Sequence, residues 1–338
     1  MRLNAQSPSD DENWQIDMSK SDEFSGTSLD LSKWHPLNCP SNDCYNWGGS
    51  SAFSNQNVSV SGGILYLKCD GPSSQGFCFN NPPNFVGYKT AGITSINENY
   101  DYGYIEIYAR FPGFVDGSGN GHADKFWPAL WAYHQEFNGD IEIDHDEIDI
   151  IDQCCSIYAD AKTTGSGCSD TSINGQAVTK GFEYRTNPTV FCNSYHKYAV
   201  EWNTDRVKFY FDDVPYYEIY DTINMDTLKV VLDFQLAGDP DYPFYQGTSF
   251  PQYMYIDYFR YYTLKKDCNI NAAINDNQDL SNFNFAVKQN IRIGNGSSYI
   301  FLSSGDIVTF RATNEITING DFTVPLGSEL NLIPTPCN

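Results

Sequence analysis

Residues 140–152 read DIEIDHDEIDIID, eight acidic or histidine residues set among five isoleucines. Like charge at this density is costly unless it is used, because neighbouring carboxylates cannot all ionise freely. On an extended strand successive side chains point to opposite faces, so Glu147 and Asp149 share one face and Ile148 and Ile150 the other. One extra residue, Ile151, breaks the alternation as a β-bulge does and returns Asp152 to the carboxylate face. Three carboxyls on one open surface push at least one pKa up, which leaves a proton donor near neutrality. Two carboxyls about 5–5.5 Å apart are what hydrolysis of a glycosidic bond with retention requires: one attacks the anomeric carbon while the other gives and then takes a proton. Calcium binding, or plain solvation of an acidic strand, accounts for the same spacing equally well.

The elements that must position these groups are strands. Upstream, the string FWPALW carries Trp127 and Trp131, which can stack on a sugar or fill a core; large aromatic residues dominate cores, so each taken singly reads first as core. No window of a dozen residues shows apolar positions at helical spacing, whereas two-residue alternation recurs in VSVSGGILYLKC, YGYIEIYARF, YAVEWNTDRVKFYF, LKVVLDFQL and MYIDYFRYY. Short strands broken by Gly, Asn, Asp and Pro predict an all-β sandwich. Asp212-Asp213, between two alternating runs, predicts a hairpin turn.

Composition sets the outer bounds. The chain has 338 residues and a formal net charge of −23, which excludes a nucleic-acid binder working through a general basic surface. Aromatic residues make up 15%, too many for a disordered acidic chain. No stretch approaches the roughly 20 uncharged apolar residues of a membrane-spanning helix. Ten cysteines predict an oxidising compartment, secreted or at the cell surface, with Met1 following a removed export signal. Cys39/Cys44 and Cys69/Cys78 are close pairs in loop-like text, the kind a short disulfide ties down; Cys154, Cys155, Cys168 and Cys192 leave their partners open. No CxxC or HxxxH pair suggests zinc. After Lys265-Lys266-Asp267-Cys268 tryptophan disappears, and apolar pairs (Ile307/Val308, Ile316/Ile318, Phe322/Val324, Leu330/Leu332) alternate with Gly305, Gly320 and Gly327. That text predicts a small stacked-strand module, which a Cys268–Cys337 bond across its ends would help to hold. The expected organisation is an N-terminal extension over 1–20, a large domain over 21–266 and the module over 267–338.

Seven strings then carry a resemblance. DEFSGTSLDLSKW (Asp22 to Trp34), SGGILYLK, YDYGYIEIYARFP (Tyr100 to Pro112), WPALW, EIDIID, YHKYAVEWNTDRVKFYFDD (Tyr195 to Asp213) and MYIDYFRYY (Met254 to Tyr262) resemble, in this order, glycoside hydrolase family 16, the laminarinase, lichenase, agarase and carrageenase group. The resemblance implies a β-jelly-roll with a glycan cleft, Glu147 as nucleophile, Asp149 as its electrostatic support and Asp152 as acid/base. The family has Glu at that last position; Asp152 is one methylene shorter, and proton transfer demands hydrogen-bond reach. A second frame, Glu142, Asp144 and Glu147 in EIDHDE, ends in Glu but puts His145 and Asp146 where the family has core-facing or bulge hydrophobics. Trp127, Trp131, Arg110 and His122, with Lys125 beside them, are the expected substrate contacts. A neutral β-1,3 or mixed β-1,3/1,4 glucan is the expected substrate, since a chain at −23 repels polyanions; marine galactans come second, and a glycan-binding jelly-roll weakened by Asp152 is the reading from another class. No cofactor is expected for catalysis. One structural Ca²⁺ is implied, held by Glu23, the Gly63 carbonyl and Asp257. A monomer is expected, and the last seventy residues resemble a C-terminal accessory module common on secreted proteins of Bacteroidetes bacteria.

Overall fold

A computed structural model of the chain describes residues 14–38, 51–71, 88–112, 114–115, 121–122, 126–138, 141–152, 159–161, 172–173, 176–177, 182–184, 194–202, 206–220, 226–236, 249–277, 280, 287–297 and 299–337. The described fold is almost entirely β, as the alternation predicts, and no helix among the described residues is long and apolar enough to cross a membrane. Two compact units form: Met18–Tyr261, and Met1–Asp17 together with Tyr262–Asn338.

The larger unit is a sandwich of two sheets. One runs, in spatial order, Val214–Tyr220, Arg206–Phe211, Tyr195–Trp202, Gly103–Arg110, Gln252–Leu264, Ile64–Cys69, Val58–Ser61. The other runs Ile141–Asp152, Phe126–Asn138, Lys229–Leu236, Tyr88–Ser95, Trp34–Pro36, with Ser51–Phe53 parallel to Tyr88–Ser95. Neighbours far apart in sequence make the crossovers of a jelly roll. The inner faces meet in one core, where Leu65, Leu67, Ile105, Ile107, Val200 and Trp202 join Leu130, Ala132, Ile148, Ile150 and Phe234. Each such Leu, Ile, Val or Phe side chain contributes about 1.5–3 kcal/mol through burial. Trp34 closes the end of this core, edge-on to Phe259 at 5.3 Å, with its indole N–H donated to Asp22 Oδ2 at 2.9 Å.

The expected hairpin is present. Asp212 and Asp213 take φ of 46° and 66°, the left-handed pair of a type I′ turn, which short acidic side chains tolerate. Their carboxylates hold the turn: Asp212 faces His196 Nδ1 at 2.8 Å, and Asp213 accepts from Lys197 Nζ at 2.9 Å. Cys69 corrects the short-bridge reading. The alternation Leu65, Leu67, Cys69 sends its sulfur into the core as a free thiol, whose pKa burial pushes up. Cys39, Cys44, Cys78, Cys154, Cys155, Cys168 and Cys192 lie outside the described residues.

The smaller unit is a coil of parallel strands. Lys266–Ile274, Val287–Ile293, Ile307–Ile318 and Glu329–Pro334 form one sheet; Tyr299–Phe301 and Asp321–Thr323 form a second. Gly305, Gly320 and Gly327 all have positive φ, so each turn between rungs sits where side chains with a Cβ are strained. The apolar pairs divide between faces: Val308 enters a core with Ile274, Ile293 and Phe310, while Ile318 and Leu332 face out. Cys268 and Cys337 are bonded across 69 positions, with Cα atoms 6.2 Å apart. Replacing both by Ser is expected to lower the stability of this unit by about 2–5 kcal/mol. Amide exchange of the full chain reads that loss directly.

Candidate active site

Strand Ile141–Asp152 is the edge of the smaller sheet and pairs antiparallel with Phe126–Asn138. Glu147 lies opposite Tyr133 and Asp149 opposite Trp131; the register then shifts, so that Ile151 faces Leu130 and Asp152 faces Ala129. The unmatched residue is Ile150. Both Ile150 and Ile151 point into the core, 2% and 1% exposed. Two successive apolar residues on one face are what a bulge permits. The register partners Tyr133, Trp131 and Ala129 alternate along one uninterrupted stretch and share one face. Glu147, Asp149 and Asp152 therefore occupy positions on that same face, away from the sandwich core.

The second frame does not assemble in this way. A further register shift between Glu136 and Phe137 leaves Ile143 unmatched, so Glu142 lies opposite Phe137 but Asp144 lies opposite Glu136. Phe137 and Glu136 belong to opposite faces of their strand, which separates the middle carboxylate from the outer two. Asp146 is buried and accepts the Asp226 backbone N–H at 2.9 Å, a structural task.

The floor around the carboxylates is aromatic and polar. Trp131 stacks on Tyr133 with centroids 5.0 Å apart and packs with Leu37, Phe53, Ala129 and Val231 in a cluster separate from the main core. Trp127 shares the face four positions away, and both tryptophans are only 8% exposed. Asp149 is buried and Glu147 half-buried.

One residue of this floor went unrecognised in the sequence. Asp233 is 0% exposed, yet it lies on the same face, opposite Ala129 on one side and Gly92 on the other. The small neighbours make its room: a Cβ on Gly92 would stand 2.8 Å from Asp233 Cβ. Its carboxylate accepts from Trp131 Nε1 at 3.3 Å and from Gln235 Nε2 at 2.6 Å. A charged residue inside LKVVLDFQL is the available signal, because a buried carboxylate needs donors. Asp233→Ala is expected to lower stability by about 2–5 kcal/mol, since two buried donors lose their acceptor, and to shift tryptophan fluorescence. Asp233→Asn retains an acceptor for the indole and is expected to lose less, as urea unfolding would measure.

Other expected contacts fall elsewhere. Arg110 alternates with core-facing Ala109 and Phe111, which turns it to the outer face of the other sheet, over Tyr255 at 4.0 Å and Tyr195 at 5.5 Å. It is not a neighbour of the tryptophans. His122 belongs to a short strand paired with Phe114–Val115, its side chain outside the described residues, as is Lys125.

The calcium set meets only in part. Gly63 closes a two-glycine turn beside Ile64–Cys69, Asp257 follows Ile256, which pairs with Leu65, and Asp22 pairs with Phe259, so the three positions gather along one stretch of the larger sheet. Glu23, however, spends both carboxylate oxygens on Arg260, at 2.7 Å to Nε and 2.9 Å to Nη2. Ca²⁺ takes six to eight oxygens; one carbonyl and one carboxylate do not fit that demand, and no group of three or more His, Cys, Asp or Glu that could hold a metal occurs among the described residues.

The chain is 29% identical over 215 residues to the glucan endo-1,3-beta-glucosidase A1 of Niallia circulans, over 59% of this chain and 28% of that protein, so it spans under a third of that relative's length. The catalytic domain of a laminarinase from Thermotoga petrophila superposes with a TM-score of 0.56 at 24% identity, over 75% of this chain and 100% of that one. A beta-porphyranase from Bacteroides plebeius superposes with a TM-score of 0.53 at 18% identity, over 75% and 94%. These two likenesses are of fold. The pattern that defines Glycosyl hydrolases family 16 matches residues 44–231, more than half of the sequence, and the chain belongs to that family.

Proposed function

We propose that the chain is an endo-acting retaining β-glycosidase that hydrolyses a β-1,3 or mixed β-1,3/1,4 glucan. The observation that carries this reading is the register shift at Ile150, which supports Glu147, Asp149 and Asp152 working from one face. Glu147 attacks the anomeric carbon as Asp152 protonates the departing oxygen; Asp152 then takes a proton from water, which displaces Glu147 and restores the starting configuration. Asp149 holds Glu147 electrostatically between the two. The half-buried Tyr133 ring, backed by the stacked Trp131, offers an apolar floor to the flat face of a glucan residue. The name of the Niallia relative favours a 1,3-linked glucan, and the bond between Cys268 and Cys337 favours an oxidising location, secreted or at the cell surface. The working unit is a monomer.

Reducing-end release from laminarin, lichenan, agarose, porphyran and carrageenan tests the reading. Release from laminarin or lichenan, with the β-anomer as first product, supports it. Preference for agarose, porphyran or carrageenan would replace glucan by galactan. Binding of laminarin without release would make this a glycan-binding jelly roll in which Asp152 is too short for efficient catalysis.

A further inference from the structure

The outer face of the larger sheet, on the far side of the sandwich from the carboxylates, carries a field of half-buried tyrosines. Tyr66 and Tyr255 have ring centroids 5.3 Å apart, and Tyr108 and Tyr195 have centroids 5.2 Å apart. Arg110 joins the pairs, its guanidinium carbon 4.0 Å from the centroid of Tyr255 and 5.5 Å from that of Tyr195. An antiparallel sheet that faces water on one side ordinarily presents polar residues there, so a run of aromatic rings along that face calls for a partner.

Stiffening of the sheet explains the ring contacts, which contribute about 0.5–1.5 kcal/mol per pair, but it does not explain Arg110. Farther along the same face Arg260 gives its fork to Glu23, and Tyr258 gives its hydroxyl to Glu106 Oε1 at 2.8 Å. Arg110 differs: among the described residues no carboxylate or carbonyl accepts from its guanidinium, and the hydroxyls of Tyr66, Tyr108, Tyr195 and Tyr255 likewise make no hydrogen bond. A planar fork of five N–H donors thus lies over aromatic rings with its hydrogen bonds unspent. Asp257 lies close enough to act on Tyr195 in the sense opposite to Arg110. With the chain at −23, such a surface disfavours a polyanion.

We propose that this face is a second glycan-binding surface, taking a neutral β-glucan chain whose pyranose C–H faces pack on Tyr66, Tyr195 and Tyr255 and whose hydroxyls accept from Arg110. It rests on the glucan reading of the carboxylate site and takes no part in bond cleavage; it keeps a long polymer on the protein while the other face works.

The test uses the full chain. Arg110→Ala and Arg110→Lys, the second keeping charge but losing the flat fork, are made both alone and with Glu147→Gln to stop hydrolysis. Retention on insoluble β-1,3-glucan particles is expected to weaken about tenfold in each hydrolysis-blocked variant relative to Glu147→Gln alone. Turnover of short laminari-oligosaccharides by the single variants, and their melting temperatures, are expected to stay within error of the parent, which shows that the fold and the cleft are intact. Unchanged retention in both variants overturns the proposal. So does Arg110-dependent binding of a sulfated galactan with no glucan bound. If the parent fails to cleave any glucan oligosaccharide, the reading of the cleft falls instead, and retention on the particles still decides this face.

Discussion

Glu147→Gln is expected to lower glucan hydrolysis by on the order of 10³-fold or more while leaving glucan affinity nearly intact. The amide keeps the shape and hydrogen-bonding size of the carboxylate but cannot form the glycosyl ester, so the loss falls on kcat. Glu147 is half-buried on the face it shares with Asp149, beside the stacked Trp131 and Tyr133. Glu142→Gln is the control: its register position is separated from Asp144 by a change of face, so its turnover is expected within about threefold of the parent. Initial rates on laminarin for the two variants decide the matter. Activity of Glu147→Gln within about tenfold of the parent would withdraw the nucleophile from this position.

Asp152→Asn is expected to lower hydrolysis of unactivated polysaccharide by about 10²–10⁴-fold, the usual contribution of a positioned proton donor. Aryl glycosides, whose leaving group needs no proton, should be cleaved at nearly the parental rate in the first step. Asp152→Glu carries the sharper expectation. The aspartate is shorter than the family's glutamate by one C–C bond, about 1.5 Å. Its register neighbour on the adjacent strand is Ala129. With the added reach of glutamate, the rate on polysaccharide is expected to rise. A fall would mean that the bulge at Ile150 has already advanced the backbone toward the sugar. A rate indifferent to both substitutions would remove Asp152 from the chemistry.

Local pattern determined much of this protein before any tertiary contact. Two-residue alternation is a property of the extended chain itself, so the strands, the Asp212-Asp213 hairpin and the sharing of a face by Glu147 and Asp149 were readable from the text. The break in alternation at Ile150-Ile151 was readable too, because two adjacent isoleucines beside acidic residues can both be buried only if one is extra. The stacked strands of the last seventy residues were legible in their spaced apolar pairs and glycines.

Partnership between distant segments is what the tertiary structure alone decided. Alternation says that Arg110 opposes Ala109, but not which of the sandwich's two outer faces it reaches; pairing of Gly103–Arg110 with Tyr195–Trp202 put it among tyrosines, not tryptophans. Glu23 reads as a free oxygen ligand until the fold brings Arg260, 237 positions away, against both of its oxygens. Asp233 carries no motif, and its role in the floor appears only when Trp131, 102 positions away, donates to it in the space left by Gly92 and Ala129. Local sterics reach a residue or two along the chain, whereas hydrogen bonds of this kind join residues that only the completed sheet order makes neighbours.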